Sequence, residues 1–330
     1  MYIVSTQKTS DFAGKMAAKS MLHISYVEKK RFPDGEMYIR VPENLKGQDV
    51  IAVGNTRSDE EILELLLLLN AIEEQKPERT TLVVPYFGYS RQHMIYKEGE
   101  AISSKVLIRD LSWSVDRIIT VDIHDEASFK YTDKECIDFK AAKSIARAHR
   151  GHGIDMVIAP DDGALKRAEI VGNELKIPSM YLHKKRINST TVEYEKQDLD
   201  VKGKNLLIVD DIISTGGTII RSAEILKASG ARKIFVAATH GLFINGAAQK
   251  ISKITDGLSV TDTIMTDFST INVSDDGEDT DGSHPFTLRP LEEPTKREGM
   301  RLMKRVKSGQ PMIIPYQLTF LTCPLIMYRI

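Results

Sequence analysis

The chain has little cysteine. Only Cys136 and Cys323 occur in 330 residues, far apart and without a Cys-x-x-Cys spacing, which argues against a disulfide framework or a thiolate zinc site. It also lacks net charge: 45 Lys+Arg against 46 Asp+Glu leave −1, so no global field draws it to nucleic acid or anionic lipid, and any phosphate binding has to be local. Long apolar runs are missing too. The longest, Leu65 to Leu69, lies in an acidic amphipathic stretch and is far too short for a bilayer. The stretch Pro311 to Ile330 is apolar, but Pro311, Pro315 and Pro324 would break a spanning helix, so no membrane partner is expected. The opening Met1-Tyr-Ile-Val-Ser has no basic segment leading into an apolar run, and a cytoplasmic address is expected.

What is present reads as two globular domains, with 42% hydrophobic and 28% charged residues. Short β-branched runs alternate with longer helical patterns, beginning at Asp49, Thr81, Arg117, Asp155, Asn205 and Lys233. That rhythm predicts an α/β protein with parallel sheets. Ser58 and Glu61 have the spacing of a capping box, which predicts a helix from about Ser58 to Gln75. In open parallel sheets ligands collect beyond the carboxyl ends of the strands. The polar groups that follow the runs, Pro85 to Gln92, Asp122 to Glu126, Pro160 to Gly163 and Asp210 to Thr218, are therefore the candidate site segments. They suggest two similar halves, residues 1–146 and 147–272, with the boundary near Arg147 to Gly153 and an appended tail over 273–330.

The most informative segment is Leu207-Ile-Val-Asp-Asp-Ile-Ile-Ser-Thr-Gly-Gly-Thr-Ile. A strand ends in two acids, and a loop of Ser214, Thr215, Gly216, Gly217 and Thr218 opens a helix. Glycines let backbone approach an anion, the helix N-terminus offers free N–H groups, and hydroxyls add further bonds. Asp210 and Asp211, one turn earlier, can accept from vicinal sugar hydroxyls. Together they describe a sugar phosphate, although a capped strand-to-helix turn with two solvated acids would use some of the same residues. No Gly-x-x-x-x-Gly-Lys-Ser/Thr occurs, so a nucleotide would have to bind by other means.

This run resembles the phosphoribosyl pyrophosphate loop of the phosphoribosyltransferase fold, and over residues 1 to 272 the chain resembles the ribose-phosphate pyrophosphokinase family, most closely its archaeal type. The resemblance implies two phosphoribosyltransferase-type domains, ATP and ribose 5-phosphate as substrates, Mg2+ as cofactor, and a homo-oligomer, dimer or higher. Residue by residue, Arg31-Phe-Pro-Asp-Gly-Glu is similar to the adenine-site segment, often supplied by a neighbouring subunit, making Phe32, Asp34, Gly35 and Glu36 ATP-binding candidates. Pro-Asp-Gly is also a plain turn signal. Pro85-Tyr-Phe-Gly-Tyr-Ser-Arg-Gln-His gives Arg91 and Gln92 to the nucleotide, with His93 where the family usually has Asp. Val121-Asp-Ile-His-Asp-Glu makes His124 a metal-site residue, and Pro160-Asp-Asp-Gly makes Asp161 the second; either Asp161 or Asp162 could equally cap a helix. Lys184 and Arg186 match the catalytic Lys-x-Arg pair and share one side of an extended strand, Arg186 also reaching the ribose 5-phosphate. A solvated basic loop would look similar. Ser214 stands where many relatives carry Asp. The rival readings are a phosphoribosyltransferase, which shares the Asp-Asp to Thr-Gly-Gly-Thr loop, and a non-catalytic regulatory relative.

Overall fold

The computed structural model describes residues 1–186, 192–194 and 199–274, and the side chains of these residues up to 183 and from 199 onward. The strands of the first half are β1 (Tyr2–Ser5), β2 (His23–Tyr26), β3 (Glu28–Arg31), β4 (Met37–Arg40), β5 (Asp49–Val53), β6 (Arg79–Val84), β7 (Arg117–Val121) and β8 (Glu135–Phe139). Helices α1 (Ser10–Ser20), α2 (Asp59–Glu73) and α3 (Ser103–Ser112) connect them. The second half has α4 (Ala142–His149), β9 (Met156–Ala159), α5 (Leu165–Leu175), β10 (Ser179–Tyr181), β11 (Lys184–Arg186), β12 (Val192–Tyr194), β13 (Asn205–Ile213), α6 (Gly217–Ala228), β14 (Lys233–Gly241), α7 (Ala247–Ser252), β15 (Gly257–Thr261) and β16 (Ser269–Ile271).

All six strands expected from β-branched runs form. Their residues are buried on both faces, as strands covered by helices on either side require. They build two six-stranded sheets of order β2-β1-β5-β6-β7-β8 and β10-β9-β13-β14-β15-β16, and every pairing within both is parallel. Each sheet has an antiparallel hairpin between its second and third strands, β3-β4 in one and β11-β12 in the other. The halves therefore repeat one topology, hairpin included.

Helix α2 starts as its capping pattern predicts: Ser58 Oγ accepts the Glu61 N–H at 3.3 Å, and the Glu61 carboxylate accepts the Arg57 N–H at 3.3 Å. Its Leu65, Leu68 and Ile72 pack with Val50, Leu82 and Ile118 in the first core. The second sheet is covered on both faces, by Ile219, Ala223 and Leu226 of α6 on one and by Ile145, Ala168 and Val171 of α4 and α5 on the other. Because α4 packs with α5 against this second sheet, we propose the passage between halves at 140–141, ahead of the 146/147 division read from the sequence. Likewise Val273 and Ser274, expected as tail, are held by the buried Asp262 carboxylate at 2.8 and 2.7 Å. The rest of the expected tail, 275–330, lies outside the described residues.

Polar contacts join the halves. Lys15 of α1 donates to Asp262 at 3.0 Å and to Asn272 at 2.7 Å, and Asn55 donates to the Thr263 carbonyl at 3.0 Å. Buried His240, at the end of β14, donates from Nε2 to the Val121 carbonyl at 3.0 Å, accepts at Nδ1 from Thr263 at 2.8 Å, and packs edge-on against Tyr86. Burial lowers its pKa from the ordinary 6.5 to about 4, which keeps the ring neutral and able to play both parts.

Candidate active site

In the second sheet β9 and β13 are neighbours from which the chain continues in opposite directions, the place where parallel sheets open a crevice. A cavity of about 620 Å³ lies there. The first half contributes Arg91 and His124 to its wall; the second contributes Asp161, Gly163, Arg167, Asp210, Asp211 and the turn Ser214 to Thr218.

The turn is built to receive an anion. Gly216 has φ +77°, a conformation other residues rarely adopt, and it starts α6 without any side-chain cap. The first turn of α6 carries no acid. A Cβ on Gly217 would meet nothing within 4 Å, so the backbone faces open cavity. The same place in the first half is the turn from β5 into α2. There Ser58 caps the helix and Asp59, Glu60 and Glu61 fill the first turn. Those carboxylates occupy the favourable end of the dipole and repel phosphate, so of two topologically equivalent turns only the second can hold it.

Strand β13 runs on through both acids to Ile213, further than the sequence suggests. Each carboxylate folds onto the following amide: Asp211 N–H donates to Asp210 Oδ1 at 2.9 Å, and Ile212 N–H to Asp211 Oδ1 at 2.8 Å. The other Asp211 oxygen lies 2.9 Å from His124 Nδ1. Burial alone would raise the Asp211 pKa, but the His124 bond and the Arg167 charge outweigh it and hold Asp211 ionised. Burial, and then the charge of Asp211, push the Asp210 pKa well up. An ionised carboxylate only accepts, so Nδ1 of His124 is the donor in this bond, and Nε2 is the ring nitrogen that could meet a metal or water.

Arg167 lines the cavity although no reading of the sequence named it as a site residue. Its guanidinium lines the cavity with only 16% of the side chain exposed, and Nε is buried without a hydrogen bond, 3.6 Å from the Asp122 carboxylate. The signal was available: on α5 Arg167 stands one turn before buried Val171, where a charge has no reason to be unless it meets another charge or a ligand.

Among the described residues, five candidates, Phe32, Asp34, Gly35, Glu36 and Gln92, do not line this cavity. Phe32, Asp34, Gly35 and Glu36 form the exposed tip of the β3-β4 hairpin, where Phe32 and Glu36 share a backbone bond of 2.9 Å and Phe32 is 50% exposed; none lines the cavity. Lys29 and Arg31 fasten this hairpin to α2 through Glu60 and Glu64. Gln92 turns to the Met94 carbonyl and Glu100 at 3.2 and 3.3 Å. Lys184 and Arg186 occupy β11, paired with β12; their side chains lie outside the described residues. His93 packs by its ring near His124, with centroids 6.0 Å apart, and its Nε2 is 3.6 Å from Asp125.

For a divalent cation, the cavity offers His124 from one half and Asp161 from the other. Among the described residues no set of three His, Cys, Asp or Glu side chains could hold a metal by itself. Two protein donors suit Mg2+, which keeps several waters and takes further oxygens from a substrate's phosphates. The residues fit an ion that arrives with a nucleotide. Among the described residues no helix is long and apolar enough to cross a membrane.

The model of the N-terminal domain of ribose phosphate pyrophosphokinase matches residues 1–113, and that of the phosphoribosyl transferase domain matches residues 131–273. The chain is 43% identical over 273 residues to a ribose-phosphate pyrophosphokinase of Thermoplasma acidophilum, covering 83% of this chain and 96% of the relative. It is 45% identical over 250 residues to that of Thermococcus kodakarensis, covering 75% and 89%. The crystal structure of phosphoribosylpyrophosphate synthetase from Mycobacterium smegmatis superposes with a TM-score of 0.72 at 26% identity, over 80% of this chain and 89% of that one. With both domain models matched in order and whole-length relatives at this identity, the chain belongs to the ribose-phosphate pyrophosphokinase family.

Proposed function

We propose that the protein transfers the pyrophosphoryl group of ATP to the 1-hydroxyl of ribose 5-phosphate, giving phosphoribosyl pyrophosphate and AMP. The observation that carries this reading is a single cavity in which an uncapped helix N-terminus beside two acids faces an arginine and a histidine from the other half. A phosphoribosyltransferase would need the first set and not the second.

In this reading the 5-phosphate lies on the N–H groups at the start of α6, with hydroxyls of Ser214, Thr215 and Thr218 around it. Asp210 and the free acceptor capacity of Asp211 orient the ribose hydroxyls. Arg91 grips the donor's phosphate oxygens through its planar fork, Gln92 flanks it, and Arg167 adds a second fixed positive charge. Lys184 and Arg186 close over the transferring group, neutralising the charge that develops as the 1-hydroxyl attacks the β-phosphorus and AMP leaves. Such a transfer asks little covalent work of the protein, so alignment and charge stabilisation carry the rate. Mg2+ would be held by His124 and Asp161 together with phosphate oxygens, and when bound it draws electron density from the phosphorus under attack.

The hairpin tip at Phe32 to Glu36 points to a homo-oligomer, since in this reading it completes the nucleotide site of a neighbouring copy. The setting is the cytoplasm. The test is AMP release from ATP and ribose 5-phosphate with no nucleobase present. A phosphoribosyltransferase or a regulatory relative would release none, and that result would overturn the proposal.

A further inference from the structure

Asp122, two residues before His124, is bound to the opposite half of the molecule. It has φ +43°, a left-handed conformation that side-chain-bearing residues adopt sparingly, and it is 2% exposed. Its amide donates to the Phe139 carbonyl at 2.9 Å, within its own half. Its Oδ2, by contrast, accepts from Thr239 Oγ1 at 2.5 Å and stands 3.6 Å from Arg167 Nε, both in the second half. The Ala141 N–H approaches the same oxygen at 3.4 Å. The next residue is pinned from the first half, because Ile123 N–H donates to the buried Asp138 carboxylate at 2.9 Å. One strained turn is thus fixed by both halves, and the residue after it, His124, reaches Asp211 across the cavity.

We propose that Asp122 is a positioning residue that sets the distance between the donor and acceptor parts of the site. It does so by tying β7 to β14 through Thr239, by holding Arg167 against the cavity wall, and by turning His124 onto Asp211. The inference rests on the pyrophosphoryl-transfer reading above only for its kinetic consequence. Without the Asp122 charge, the ionised Asp211 is the carboxylate left to attract Arg167, and the guanidinium would shift towards it. Both substrates would still find their principal contacts, but their reacting atoms would no longer be held in line. A misplacement of about 1 Å can cost on the order of 100-fold in rate.

The experiment compares wild type, Asp122→Asn and Thr239→Val. Asparagine keeps an acceptor for Thr239 and removes the charge facing Arg167. The expected result is a kcat lowered about 10- to 100-fold in Asp122→Asn, with KM for ATP and for ribose 5-phosphate within about threefold of wild type. In Thr239→Val the same split should appear at about 3- to 10-fold, which keeps the test open if the first variant folds poorly. A readout independent of turnover is the nitrogen NMR spectrum of the His124 ring: wild type should show one tautomer protonated at Nδ1, and Asp122→Asn a mixture. A merely structural role would lower thermal stability and leave that ring pattern unchanged in the folded fraction. An unchanged tautomer, or losses in KM matching those in kcat, would overturn the inference. A wild type that releases no AMP would sink the functional reading instead, and the ring spectrum would still decide the positioning claim.

Discussion

Gly216 and Gly217 are adjacent, yet one added methyl group should do opposite things at the two positions. At Gly216, φ is +77°, and a new Cβ would come within 3.1 Å of Ile251 Cδ1 and 3.2 Å of Ala247 Cβ. Gly216→Ala therefore meets a left-handed penalty of roughly 1–2 kcal/mol, plus the shift those neighbours must make. For a lobe of this size that lowers Tm by roughly 3–6 °C. At Gly217 the backbone is ordinary helix, and the Cβ would meet nothing within 4 Å. Gly217→Ala should leave Tm unchanged or slightly raised, because alanine restricts the unfolded chain more than glycine does. The methyl group would instead stand in the space assigned to the 5-phosphate. Loss of one charge-assisted hydrogen bond costs about 1.5–3 kcal/mol, or about 10- to 100-fold in Kd for ribose 5-phosphate. Isothermal titration with ribose 5-phosphate and thermal denaturation of both variants measure the two effects. If Gly217→Ala bound the sugar phosphate as tightly as wild type, or lost affinity only in step with a loss of Tm, the cradle would be in the wrong place.

Three further outcomes follow from named contacts. His240 binds its proton at 6.5 when unfolded but only at about 4 when folded, so the unfolded chain holds more protons in between; stability is full above 6.5 and is lost as pH falls to 4, by roughly 3 kcal/mol. His240→Gln should shrink the difference in denaturation midpoint between pH 7 and pH 4.5, and an unchanged difference would show that the ring is not protected. Ser58→Ala removes the cap of α2 and should cost about 1 kcal/mol of stability without altering ribose 5-phosphate affinity, as titration would show. Lys184→Ala should lower kcat by more than about 100-fold with little change in KM for ribose 5-phosphate; equal losses in both would count against a role in the transition state.

The sequence was most legible where chemistry and local structure coincide. The β-branched runs became the central strands, Ser58 opened α2, and the Asp-Asp to Thr-Gly-Gly-Thr run became the floor of the cavity, because a phosphate turn needs its glycines and hydroxyls contiguous in the chain. His124, Asp161 and Arg91 also reached that cavity, the first two within three residues of a strand's carboxyl end and Arg91 on the loop that follows β6, where parallel sheets present their polar residues. Contacts made between distant segments were not legible. Nothing near Asp122 announces Thr239, 117 residues on, and nothing local separates Asp211 as sugar ligand from Asp211 as the partner that fixes the His124 tautomer. Arg167 was hidden for a related reason: its role depends on Asp122, which belongs to the other half.

The sequence by itself determined the period of the strands, the turn able to accept a phosphate and the identity of the charged groups, since these depend on neighbours within a few residues. Only the tertiary structure decided that the turns after β5 and β13 are equivalent places in two repeated sheets, and that the buried Asp122 carboxylate meets Thr239 and Arg167 of the other half. The physical reason is range: backbone propensity acts over one or two turns of chain, whereas the energy of a charge depends on whatever the fold brings within a few ångströms of it.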